Sequence, residues 1–131
     1  MLESQIKNII SKFLTDKVKF AYLFGSAVTK YFNKNSDIDI AVYLKDYPVE
    51  IKEIIDLKYQ IEKKLEFKYD IDLVLLNDAD LIISNQIITK GEIIINNEPP
   101  FTDIFIIYHQ SMYFDFKFFR KNLEENLMKK V

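Results

Sequence analysis

Between Asp37 and Leu44 the chain reads D-I-D-I-A-V-Y-L, and this stretch constrains the fold more than any other. Ile38, Ile40, Val42 and Leu44 fall on one side of an extended segment, and Asp37, Asp39, Ala41 and Tyr43 on the other. A period of two with β-branched residues on one side predicts a strand with a buried face. The opposite face then carries two carboxylates whose Cα atoms lie roughly 6–7 Å apart. Upstream, Val18 to Phe24 is aromatic and β-branched and reads as another strand, closed by Gly25-Ser26. Ten residues separate that Gly-Ser pair from Asp37.

The rest of the chain alternates between helical and extended patterns. Leu2, Ile6, Ile9, Ile10, Phe13 and Leu14 predict a helix over about Glu3 to Asp16. Ala27 to Tyr31 is expected as a short helix and Asn33 to Ser36 as a polar turn. Pro48 is placed to open a second helix with Ile51, Ile54, Ile55, Ile61 and Leu65 as its buried stripe. Lys68 to Leu76 predicts a third strand. Asp78 or Asp80 caps a short helix through Ile88 that Gly91 ends, and Glu92 to Asn96 is a fourth strand. A last helix is expected from Pro100 to about Lys129.

The resulting order, α-β-β-α-β-α-β-α, predicts an α/β fold with a mixed sheet of about four strands backed by helices. The helical crossover between the second and third strands makes that pair parallel. The whole chain, 1–131, reads as a single domain.

Composition narrows the function classes. No cysteine is present, which excludes disulfides and thiolate metal sites. The net charge is −2 and Arg120 is the sole arginine, so no direct DNA binding is expected. The N-terminal pattern carries charges inside its apolar spacing, and no long apolar run occurs, so neither a signal peptide nor a membrane span is expected. The chain is expected to be cytoplasmic.

Alternation alone fits the wet face of an edge strand better than it fits a site. The Gly-Ser turn just upstream points instead to chemistry. Paired hard oxygen ligands suit Mg²⁺, which takes one or two carboxylates together with substrate phosphates. The third strand offers Asp70 and Asp72 on one face, with Asp72 central in the apolar run. Three clustered carboxylates repel one another unless a cation is shared. Gly25 permits close backbone approach, and free N–H groups and the Ser26 hydroxyl beside it suit phosphate. Ser36 and Lys30 are further candidate phosphate contacts. The expected reaction is attack of a hydroxyl on a nucleotide α-phosphate with release of pyrophosphate. Asp37, Asp39 and Asp72 would hold the ions, expected to be two Mg²⁺, or Asp72 would accept the proton.

Gly25-Ser26, ten residues, then Asp37-Ile38-Asp39 resembles the signature of the DNA-polymerase-β-like nucleotidyltransferases, with Asp72 in "YDIDLVLL" matching the third carboxylate. The short chain, "NQIITKGEIIINN" and "YFDFKFFRKNLEENL" resemble the minimal nucleotidyltransferase (MNT) antitoxins of HEPN/MNT toxin–antitoxin pairs. The resemblance implies transfer of AMP from ATP, with Mg²⁺, to a tyrosine of a HEPN ribonuclease toxin. The alternatives are transfer to a small molecule, or an antitoxin that neutralises by binding alone. Thr29 and Lys30 stand where many relatives carry arginine and glycine.

The last helix carries two apolar stripes. Phe101, Phe105, Tyr108, Met112, Phe116, Phe119, Leu123 and Leu127 are expected to pack on the domain. Ile104, Ile107, Phe114 and Phe118 form a second stripe, expected to face a partner. His109 is expected to be structural or solvated, and the lysine-rich run from Lys58 to Lys68 to be a wetted face.

Overall fold

The segment Ile38–Leu44, strand β2, takes an inner position in a four-stranded sheet, with a paired strand on each side. In the computed structural model, which describes residues 2–129, the chain runs α1 (Ser4–Leu14), β1 (Val18–Phe24), a 3₁₀ turn (Gly25–Val28), β2 (Ile38–Leu44), α2 (Ile51–Lys64), β3 (Ile71–Leu75), α3 (Leu81–Lys90), β4 (Glu92–Asn96) and α4 (Pro99–Lys129). The sheet order is β3-β2-β1-β4. β1 pairs antiparallel with β2 and β4, whereas β2 and β3 run parallel, as the crossover through α2 requires.

Each face of the sheet has its own core. Ile38, Ile40 and Val42 of β2 join Ala21, Leu23, Ile71, Ile10 and Leu14 beneath α1 and α2. Ala41, from the aspartate-bearing side of β2, joins Phe20, Tyr22, Ile87 and Phe105 beneath α3 and α4. The Phe20 ring lies 5.0 Å from Phe105 and 5.4 Å from Tyr43. The carboxylates therefore emerge at the open end of a face whose other end is sealed by aromatic packing.

Local chemistry sets the boundaries. Asp80 caps α3 by accepting from Ile83 N–H at 2.8 Å, while Asp78 accepts instead from the Tyr47 hydroxyl at 2.7 Å. Gly91 ends α3 with an ordinary φ of −83°. Glycine is needed there for space: a Cβ would meet the Ile87 carbonyl oxygen at 2.5 Å and that of Leu23 at 2.9 Å. His109 is structural as expected, its Nδ1 lying 2.9 Å from the Phe105 carbonyl one helical turn back.

Three expectations are corrected. The turn after β1 begins at Gly25 rather than Ala27 and is a single 3₁₀ turn, because Thr29 N–H and Thr29 Oγ1 both donate to the Ser26 carbonyl and close it. Helix α2 begins at Ile51, not Pro48, because Val49 packs against the core and Glu50 stays extended as the cap. Its buried line runs through Ile61 and Leu65, with Leu57 packed beside them, and leaves Ile51 and Ile55 exposed at 76% and 62%.

The third correction concerns α4. Thr102 and Phe105 are buried, and His109 and Tyr113 continue the contact line one turn at a time. Four-residue steps drift around the helix, so Tyr108 and Met112 leave the surface that α3 offers. From Phe114 to Lys129 every residue is exposed, and the expected packing of Phe116, Phe119, Leu123 and Leu127 on the domain is not made. No helix among the described residues is long and apolar enough to cross a membrane.

Candidate active site

The end of β1 brings a turn directly over a carboxylate. Phe24 pairs in register with Asp39 of β2, so the next residue, Gly25, arches above the Asp39 side chain. Gly25 has φ +66°, and a Cβ there would run into the Asp39 carboxylate, with Asp39 Cγ only 3.1 Å away. Both facts require glycine: the left-handed backbone and the absence of room. The turn is thus held against the second aspartate of the Asp37-Ile38-Asp39 motif, on the neighbouring strand.

The parallel pairing of β2 and β3 supplies the second acid. Asp39 and Asp72 are register partners on adjacent strands, and Ile38 N–H donates to the Asp70 carbonyl at 2.9 Å to start the ladder. The Asp39 carboxyl is pushed up to about 6. Burial is the largest cause, followed by the charge of Asp72, a hydrogen bond to Asp72 and the charge of Asp37. Burial and the neighbouring carboxylates therefore favour the protonated form of Asp39 when no cation is near.

This excess of negative charge under a Cβ-free turn fits a divalent cation with phosphate oxygens above it. Asp39, Asp72 and Asp37 are the residues that would hold it. Among the described residues no three carboxylates are already drawn into a closed cage. Asp37 stands one step before β2 and is exposed, as Asp72 is on β3.

The other residues singled out from sequence are placed differently. Ser26 lies within the 3₁₀ turn beside Gly25. Ser36 is adjacent to Asp37, but its hydroxyl accepts from Asn33 N–H at 3.1 Å and so closes the polar turn. Lys30 is exposed, with its ammonium 5.5 Å from the Tyr31 ring centroid and no ion pair to the aspartates among the described residues. Asp70 sits at the entrance of β3 and lines, with Asp37, a polar groove of about 270 Å³.

Sequence reading missed the turn that brings Phe67 to the wall of that groove. Glu66 and Phe67, which follow α2, both adopt left-handed backbone, with φ 57° and 56°. Each such residue costs about 1–2 kcal/mol when it is not glycine. Hydrogen bonds from Glu66 N–H to the Lys63 carbonyl at 3.0 Å and from Phe67 N–H to the Glu62 carbonyl at 2.9 Å hold the pair. The usual sequence sign, a glycine or asparagine after the helix, is absent here.

With this geometry in view, comparison with known proteins is decisive for the family. Residues 4–100 match the family described as Polymerase beta, Nucleotidyltransferase. The chain belongs to that nucleotidyltransferase family. This nucleotidyltransferase is 35% identical to protein adenylyltransferase MntA of Shewanella oneidensis over 91 residues, which are 66% of this chain and 62% of MntA. The aligned part thus spans less than two thirds of that curated relative. Among solved structures, a crystal structure of a toxin–antitoxin with AMP-PNP contains a chain 30% identical, with a TM-score of 0.76 over 93% of this chain and 98% of the other. A structure of the tri-AMPylated Shewanella oneidensis HEPN toxin in complex with MNT antitoxin gives 28% identity and a TM-score of 0.71 over 95% of this chain and 97% of that one.

Proposed function

We propose that this nucleotidyltransferase is the antitoxin of a HEPN/MNT pair, and that it transfers AMP from ATP to a tyrosine of a cognate HEPN ribonuclease toxin in the cytoplasm. The observation that carries the reading is Asp39, paired with Asp72 across β2–β3 and covered by the Gly25 turn. The likeness to MntA, and to chains from toxin–antitoxin complexes with AMP-PNP and with an AMPylated toxin, supports the choice of donor and acceptor.

In this reading the 3₁₀ turn at Gly25-Ser26 holds the triphosphate on the β1 side of Asp39, and Asp72 faces the acceptor on the β3 side. Asp37, Asp39 and Asp72 would hold Mg²⁺, as two ions, which would supply positive charge against the phosphates. The acceptor oxygen bonds to the α-phosphorus, the bond from that phosphorus to the α,β-bridging oxygen breaks, and pyrophosphate departs. The hydroxyl proton passes to Asp72 or to solvent beside it. Ser36 and Lys30 would reach phosphate only after leaving their Asn33 and Tyr31 neighbours.

The test is incubation of the chain with ATP labelled at the α-phosphate, Mg²⁺ and the helical protein encoded beside it. Label on that protein is the expected result. Label on a small molecule, or a stable complex that acquires no label, would overturn the reading.

A further inference from the structure

Beyond Tyr113, α4 leaves the body of the protein as an arm, Phe114–Lys129, about 24 Å long at the helical rise. Phe116, Phe119, Leu123 and Leu127 recur on it at three- and four-residue steps and form one stripe, 44–66% exposed. Four such side chains, each about half uncovered, present about 400 Å² of apolar surface, close to the apolar share of one side of a standard interface.

The flanks of this stripe are self-complementary. On one flank lie Arg120 and Glu124, joined within the helix at 3.1 Å. On the other lie Asp115 and Lys129, with Asn122 midway between them in sequence. When a second arm is laid antiparallel, with the two-fold axis at Asn122, Arg120 meets Glu124 of the second copy and Asp115 meets its Lys129. All four contacts are between unlike charges. The antiparallel arrangement also carries the tip of the second arm, Leu127 and Met128, toward a hollow of about 320 Å³ lined by Asp80, Leu81, Ile82 and Phe116.

We propose that two copies of this chain pair through antiparallel α4 arms along the Phe116–Leu127 stripe, which leaves the stripe bearing Phe114 and Phe118 free for another protein. This pairing goes beyond the proposed adenylyl transfer and does not depend on it.

Sedimentation equilibrium of the full chain alone, without ATP, is the test. Twice the chain mass at tens of micromolar is expected, and Leu123→Asp is expected to run as a monomer with an unchanged circular dichroism spectrum. Arg120→Glu and Glu124→Arg should each weaken pairing at least about tenfold, since each sets like charges opposite twice. An equimolar mixture of the two variants should pair again, because unlike charges then meet across the interface. A monomeric wild type, or a mixture that pairs no better than either variant alone, would overturn the proposal and assign the stripe to a different occupant such as the toxin.

Discussion

Asp39 and Asp72 stand opposite one another on adjacent parallel strands, close enough that a hydrogen bond between them helps hold Asp39 protonated well above the ordinary carboxylate range. The fold tolerates this repulsion at the point where the proposed chemistry requires a cation.

Removing one of the two charges should therefore separate stability from activity. Asp72→Asn is expected to abolish label transfer, by at least about a thousandfold. The same variant should raise the melting temperature in Mg²⁺-free buffer at pH 7.5. The gain should be about 1 kcal/mol, or about 4 °C, well below the full displacement of Asp39 because the pair is open to solvent. Calorimetry with EDTA, alongside the transfer assay, checks both halves.

The pH dependence has a definite sign. Asp39 titrates at about 6 when folded and near the ordinary aspartate value of 3.8 when unfolded. The folded state thus binds more protons in that window, and the contribution of Asp39 to stability is present below it and lost as pH rises through about 6. The melting temperature of the wild type relative to Asp39→Asn should fall over this range in EDTA. Mg²⁺ competes with the proton, so its stabilising effect should be large at pH 7.5 and correspond to about tenfold weaker binding at pH 5. Thermal shift titrations at the two pH values measure it.

Gly25→Ala places a methyl group against the Asp39 carboxylate and puts alanine at φ +66°. The backbone cost alone is about 1–2 kcal/mol. Because the displaced atom is the carboxylate itself, transfer should fall more than tenfold even at temperatures where the variant remains folded. Steady-state rates at 15 °C, compared with the melting curve, separate the two effects.

The two halves of α4 should respond in opposite ways. Phe105 is 7% exposed and packs on Phe20 and Tyr43, so Phe105→Ala should cost about 3–5 kcal/mol. Phe118 is 59% exposed, so Phe118→Asp should change stability by less than about 0.5 kcal/mol while weakening capture of the proposed partner. Chemical denaturation and a binding titration check the pair.

What could be read from the sequence follows from how local each signal is. The period-two pattern at Ile38–Leu44 predicts both the strand and its buried face, and the crossover through α2 predicts the parallel neighbour that sets Asp72 beside Asp39. The spacing from Gly25-Ser26 to Asp37 is a local signal that survives folding because β1 and β2 are adjacent and antiparallel. Helix faces were less legible. Helix α2 carries isoleucines on more than one side, so Ile51 and Ile55 mimic a buried stripe, and only the lead-in through Val49 selects the line through Ile61 and Leu65. In α4 periodicity reports that Phe116, Phe119, Leu123 and Leu127 share a face, but not that the domain ends before it can cover them. The left-handed pair at Glu66 and Phe67 is imposed by hydrogen bonds back to α2 and has no compositional sign.

The central claim is that Asp37, Asp39 and Asp72 form one ion site beneath the Gly25 turn. A crystal structure of the chain with Mg²⁺ and AMP-PNP tests it most directly. The account predicts metal bound by all three carboxylates, with the phosphates lying against Gly25 and Ser26. Nucleotide bound elsewhere, or Asp72 turned away from a metal held by Asp37 and Asp39 alone, would contradict it.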